Sequence, residues 1–180
     1  MRNLLLCAFL LFGASAFAQL YICKDGTTKF TSEAPLELIK AESKKTAGAI
    51  DCKARTLAFS VDVESFQGFN SGLQKEHFLE NYMETVKYPK AVFKGKIIEE
   101  VDFAKKGIIN VRAKGTFNIH GVVKEKIVKA KIIIKENEIQ VETNFEVPLE
   151  DHNIKVPKVV NQKIAPIILV DVKAEMKPKV

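Results

Sequence analysis

The feature that most constrains this chain is a two-residue alternation of apolar and polar side chains that begins just after Cys52. Leu57, Phe59, Val61 and Val63 alternate with Thr56, Ala58, Ser60, Asp62 and Glu64. A second run starts at Phe93, Gly95 and Ile97 and continues less regularly through Val101 and Phe103. A third, the longest, carries Ile109, Val111, Ala113, Gly115, Phe117 and Ile119 against polar partners from Asn110 to His120. Two more follow, one through Val128, Ala130, Ile132 and Ile134 and one through Ile139, Val141, Thr143, Phe145 and Val147. A last run, apolar on both faces, extends from about Ile164 to Met176. Alternate side chains of a strand point to opposite faces, so each run predicts a strand with one buried face.

The connections are short, around Lys106-Gly107, Gly121 and Glu136-Asn137, so neighbouring strands run antiparallel. A meander of about seven or eight such strands must hide an apolar face and protect two edges. Closure into a barrel does both. The expected class is therefore all-β, an antiparallel barrel of about eight strands. One segment departs from the pattern. Asn70 to Lys87 places Leu73, Phe78 and Tyr82 at near-helical spacing before Tyr88-Pro89, which predicts a short helical excursion over one barrel mouth. Pro148 to Pro157 reads as an ordered loop.

The N-terminus is read apart from the fold. Arg2, the apolar run Leu4 to Phe12 and the small-x-small triplet Ala16-Phe17-Ala18 form the three parts of a secretory signal, cut before Gln19. The run is shorter than the roughly 20 residues a membrane span needs. Residues 1–18 are thus expected to be a signal peptide and 19–180 one domain, exported to the periplasm or the medium, with no transmembrane segment once the signal is cleaved. Cys23 and Cys52 remain in the mature chain, and an oxidising compartment favours one structural disulfide between them. It would close a loop of roughly 30 residues, contributing about 3 kcal/mol.

Charge narrows the partners. The formal net charge of +6, or near +5 without Arg2, is carried by lysines scattered over strand faces. That arrangement keeps edges soluble and lacks the clustering and interleaved aromatics of a nucleic-acid surface, so no nucleic-acid partner is expected. His77, His120 and His152 fall on separate elements at no metal-site spacing, and His120 reads as a hydrogen-bonding turn residue. Asp151 and His152 have no nucleophile setting to serve. No catalytic residue, metal site or cofactor is assigned. A monomer or a homodimer fits equally.

Three blocks carry a family resemblance. Ser65 to Ile97 includes Tyr88, Pro89 and Phe93 in a Tyr-Pro-x-x-x-Phe arrangement after the helical segment. Gly115 to Lys124, GTFNIHGVVK, follows a Gly-x-Leu-x-Ile-x-Gly-Val-Thr-Lys pattern, and Phe145 to Pro157 supplies an acidic loop ending in Pro. In this order and spacing they resemble the YceI-like proteins. Val123 stands where Thr is common, and Cys23 and Cys52 lie outside the general pattern.

The resemblance implies a lipocalin-like eight-stranded barrel with a helix over one end. It also implies a lumen holding a polyisoprenoid, an isoprenoid quinone or a related lipid, for carriage or sequestration. The lumen set expected from the inward faces and the helix is Phe59, Val61, Phe78, Tyr82, Phe93, Ile97, Ile109, Val111, Ala113, Gly115, Phe117, Ile132, Val141 and Phe145. Gly95, Ala113 and Gly115 are expected to leave lumen volume, and Tyr82 and Tyr88 to stand near the mouth, ring on the chain and hydroxyl toward a head group. The same residues could instead pack into a solid core, making a non-catalytic interaction module. An enzyme acting on a small lipid would need a polar cluster in the lumen, which the alternation does not show.

Overall fold

The computed structural model describes residues 20–179. The expected leader, residues 1–18, and its cut before Gln19 lie outside the described residues. Eight strands close into one antiparallel barrel in sequence order: β1 Leu20–Glu33, β2 Leu38–Asp51, β3 Thr56–Asp62, β4 Lys90–Ile97, β5 Gly107–Ile119, β6 Val122–Ile134, β7 Ile139–Pro148 and β8 Ile167–Pro178. Closure is made by β1 on β8, from Tyr21 opposite Pro178 to Thr31 opposite Leu169. No helix among the described residues is long and apolar enough to cross a membrane.

The barrel is all-β and eight-stranded, as the alternation and the resemblance imply, but several boundaries are corrected. The run through Val101 and Phe103 is not strand: β4 stops at Ile97 and the chain loops, turning Phe103 inward as a buried stopper. The last strand begins at Ile167 rather than Ile164, after Pro166. β1 and β2, fourteen residues each, give no alternating apolar signal. Their buried positions include Thr28, Ser32, Ser43 and Thr46, small hydroxyl side chains hidden by hydrogen bonding rather than by hydrophobicity.

The β5–β6 hairpin turns through two residues, His120 and Gly121, both at positive φ (51° and 73°). A tight hairpin matched to strand twist requires that geometry. Between β6 and β7 the ladder runs only from Ile134–Ile139 to Ala130–Thr143. Beyond it the strands are tied by side chains: Thr143 Oγ1 donates to the Lys129 carbonyl at 2.7 Å and Lys126 Nζ donates to the Glu146 carbonyl.

The helical excursion forms as α1, Gly72–His77, extended by one π-helical turn, Phe78–Tyr82. Ser71 caps it by accepting from the Gln74 N–H at 3.1 Å, and Gln74 Oε1 accepts from the Asn70 N–H at 3.0 Å, close to a capping box. The wider turn swings Phe78 onto the barrel wall. Its ring stacks on Phe30 with centroids 5.2 Å apart and meets Phe66 and Phe69 at 6.0 and 5.1 Å. Such aromatic pairs add about 0.5–1.5 kcal/mol each beyond area burial, so the helix is seated by rings, not by its own six residues.

Cys23 and Cys52 are free thiols, which corrects the expected disulfide. Strand register is the reason. Cys23 pairs with Gly48, whereas Cys52 follows Asp51, the partner of Leu20. That offset is about 13 Å along a strand, roughly twice the Cα separation a disulfide tolerates. The Cys23 thiol instead donates to the Thr46 carbonyl at 3.8 Å.

Candidate functional site

The barrel interior is divided along its axis. At one end it is solid. Tyr21, Ile50, Ile97, Val111, Ile132, Ile134, Ile139 and Met176 interdigitate with Phe103 from the β4–β5 loop. At the other end the inward side chains do not meet, and they enclose a cavity of about 510 Å³. That size falls within the range of small-ligand sites. The cavity is blind at the plug and is covered at its mouth by α1 and its π turn, through Leu73, Gln74, His77, Phe78, Tyr82 and Met83. The segment after β7 closes the rim with Leu149, Ile154, Val160 and Ile164.

Of the residues expected in the lumen, Phe59, Val61, Phe78, Tyr82, Phe93, Ala113, Phe117, Val141 and Phe145 line this cavity. Phe93 and Phe117 face each other across β4 and β5 with centroids 4.6 Å apart, and Phe145 reaches Phe117 at 4.9 Å, so one wall is a row of three rings. Burial raises the Tyr82 hydroxyl above its ordinary pKa, so it stays protonated.

Ile97, Ile109, Val111 and Ile132 do not line the cavity. The alternation shows that they point inward but not how far down the axis they lie, and the structure puts them in or against the plug. Gly115 is also corrected. It pairs with Gly95, and a Cβ added to it would lie 2.2 Å from the Lys94 carbonyl oxygen. This glycine lets β4 and β5 approach; it does not keep lumen space open.

Several lining positions escape the sequence reading. Thr28, Phe30, Ser32, Ile39 and Thr46 belong to β1 and β2, whose polar inner faces carry no alternating signal, and Ile168, Val170 and Val172 lie on a strand with apolar residues on both faces.

Other residues of the three quoted blocks converge outside the cavity. His120 Nε2 is hydrogen-bonded to Glu84 Oε2 at 2.8 Å, and its Nδ1 lies 3.0 Å from the His152 carbonyl oxygen. Tyr88 packs edge-on against the His120 ring at 4.8 Å, which corrects its expected place beside the ligand at the mouth. His152, buried, donates from Nδ1 to the Val122 carbonyl at 3.3 Å, and burial holds its pKa below the ordinary histidine value. Hydrogen bonds from Lys87 and then His120 lower the Glu84 carboxyl. Helix exit, hairpin turn and acidic loop are thus clasped together, and this cluster positions the mouth. Among the described residues no group of three or more potential ligands could hold a metal.

A closed antiparallel barrel with a blind, almost wholly apolar cavity beneath a helical cover defines a lipocalin-like architecture. The YceI-like domain model matches residues 24–176, and the chain belongs to that family. No match to the sequence is found among curated proteins. Among solved structures, the fold is similar to a polyisoprenoid-binding domain from Saccharophagus degradans implicated in plant cell wall breakdown. That similarity has a TM-score of 0.75 at 15% identity and covers 91% of this chain and 100% of that one. It is also similar to Burkholderia cenocepacia BcnA (TM-score 0.69, 13% identity, 83% and 95% covered). The Campylobacter jejuni YceI protein gives a TM-score of 0.60 at 16% identity over 79% and 86%.

Proposed function

We propose that this protein is exported and holds one long apolar lipid, of the polyisoprenoid or isoprenoid-quinone class, in the mouth half of its barrel for carriage or sequestration. The observation that carries the reading is the cavity itself. A barrel serving only as a scaffold gains stability by filling its interior, and the plug shows that this sequence does so at one end. At the other end rings and aliphatic side chains leave a preformed apolar space. Each methylene buried there contributes about 0.8 kcal/mol, and a preformed site need not reorganise to receive it. The polyisoprenoid-binding function of the Saccharophagus degradans domain supports the same ligand class. Export rests on the leader-like residues 1–18.

The experiment is native mass spectrometry, with organic extraction, of the full chain expressed in a bacterium and recovered from the periplasm. A mature mass beginning at Gln19 plus a co-purifying isoprenoid lipid is the expected result. An apo mass that persists after such lipids are offered would instead favour an interaction module whose cavity stays empty.

A further inference from the structure

Low on the cavity wall, two hydroxyls form a pair that hydrogen bonding within the protein leaves incomplete. Thr28 on β1 and Thr46 on β2 are both buried, both line the cavity, and their hydroxyl oxygens lie 2.7 Å apart. They are the last lining residues on their strands before Cys23 and Ile50 of the plug, so the pair sits low on the cavity wall. Two hydroxyls carry two protons, and bonding to each other uses one.

The buried Ser43 nearby behaves differently. Ser43 is 2.6 Å from Ser65, and Ser65 donates onward to the Asp62 carbonyl at 2.5 Å, so in that chain each proton has an acceptor. Neither Thr28 nor Thr46 has a second side-chain hydrogen bond among the described residues. One O–H is therefore left without an acceptor in a cavity lined mostly by apolar side chains, where an unmet donor is unfavourable.

An oxygen acceptor on the ligand would complete the pair. It should be neutral. The basic side chains that line the cavity, His77 and Lys163, stand on the helix and on the rim segment at the mouth, so an anion against the threonines would be desolvated without a counter-charge. We propose that Thr28 and Thr46 form a polar subsite for a neutral carbonyl oxygen of the bound lipid. The preferred ligand is then a carbonyl-bearing lipid, with a quinone ring or an acyl carbonyl placed toward the plug, rather than a bare hydrocarbon or a carboxylate. This rests on the cavity being the lipid site.

The test compares a benzoquinone carrying two isoprene units with a branched hydrocarbon of the same carbon number, by calorimetric titration of the full chain. The wild type should prefer the quinone by about tenfold, the worth of one hydrogen bond. T28V and T46V alone should keep the preference, because the surviving hydroxyl loses its partner and is free to donate. T28V/T46V should lose it while hydrocarbon affinity holds, and T28S/T46S should restore it.

The infrared band of the quinone carbonyl should move to lower wavenumber on binding the wild type and not the double valine variant. An unshifted band in the wild type overturns the subsite even if that variant does not fold. Equal binding of the two probes to the wild type, or a double variant that keeps the preference, overturns it and leaves the lipid cavity standing. If neither probe binds, the cavity reading fails and takes the subsite with it.

Discussion

The ring of Tyr88 occupies the space that a side chain on Gly121 would fill: a Cβ built there lies 2.4 Å from the Tyr88 ring. Gly121 is also at φ 73°, in the left-handed region. Two residues of separate motif blocks are thereby explained by one contact, which locks the helix exit to the β5–β6 turn. Gly121→Ala should destabilise the fold by about 1–3 kcal/mol, combining backbone strain with displacement of the ring. Urea unfolding would measure it. A variant as stable as the wild type would mean that the ring moves aside freely.

His152 gives the clasp a pH dependence. Burial lowers its folded pKa below its unfolded value near 6.5, so below that pH the unfolded chain binds more protons. Its stabilisation is complete above about pH 6.5 and is lost as pH falls through the depressed folded value. Glu84, also lowered, acts in a more acid window, below the ordinary carboxylate pKa. Melting temperature should therefore fall from pH 7.5 to 5.5, and in His152→Gln that fall should be smaller. Parallel curves for the two proteins would remove His152 from the account.

The thiols should be chemically quiet. Burial, then the Asp51 charge, pushes Cys52 up to about 11, and burial raises Cys23. A thiolate is the reactive form, so a thiol reagent at pH 8 should label the native mature protein far more slowly than the unfolded chain. Reductant should leave the melting temperature unchanged. A fall of several degrees with reductant would show that a disulfide forms and that the β1–β2 register adjusts to allow it.

Much of this architecture is legible in the residues, and what is hidden has identifiable causes. From β5 to β7 the inner faces are apolar and the outer faces charged, and period two marks each strand. β1 and β2 bury Thr28, Ser32, Ser43 and Thr46, which read as polar although each is hydrogen-bonded. The site was half visible for a different reason. Alternation separates inside from outside, but axial position depends on strand tilt and register, which are properties of the closed barrel. Val111 and Ala113 are neighbours on one face of β5, yet the first is in the plug and the second lines the cavity. The quoted motifs mark both the clasp of Glu84, Tyr88, His120, Gly121 and His152 and part of the ligand wall, with Phe93, Phe117 and Phe145.

Ala113 and Gly115, two residues apart on the inner face of β5, should respond in opposite ways to added bulk. Ala113 is buried on the cavity wall opposite open space, with β4 and β6 partners Ile97 and Val128. Ala113→Phe should project into the cavity, cost about 1–3 kcal/mol from overpacking near the plug, and reduce lipid retained on purification at least tenfold. Gly115→Ala adds one carbon, but that carbon meets the Lys94 carbonyl oxygen and the Gly95 Cα at 2.2 and 2.6 Å, both backbone. The β4–β5 ladder must part to admit it, at a cost of about 3 kcal/mol, while the lipid-lining residues stay chemically unchanged. Chemical denaturation and extracted-lipid mass spectrometry on the same two variants separate the effects. If Gly115→Ala empties the cavity without loss of stability, the glycine belongs to the ligand site after all, and the wall drawn through Phe93, Ala113 and Phe117 has to be extended to it.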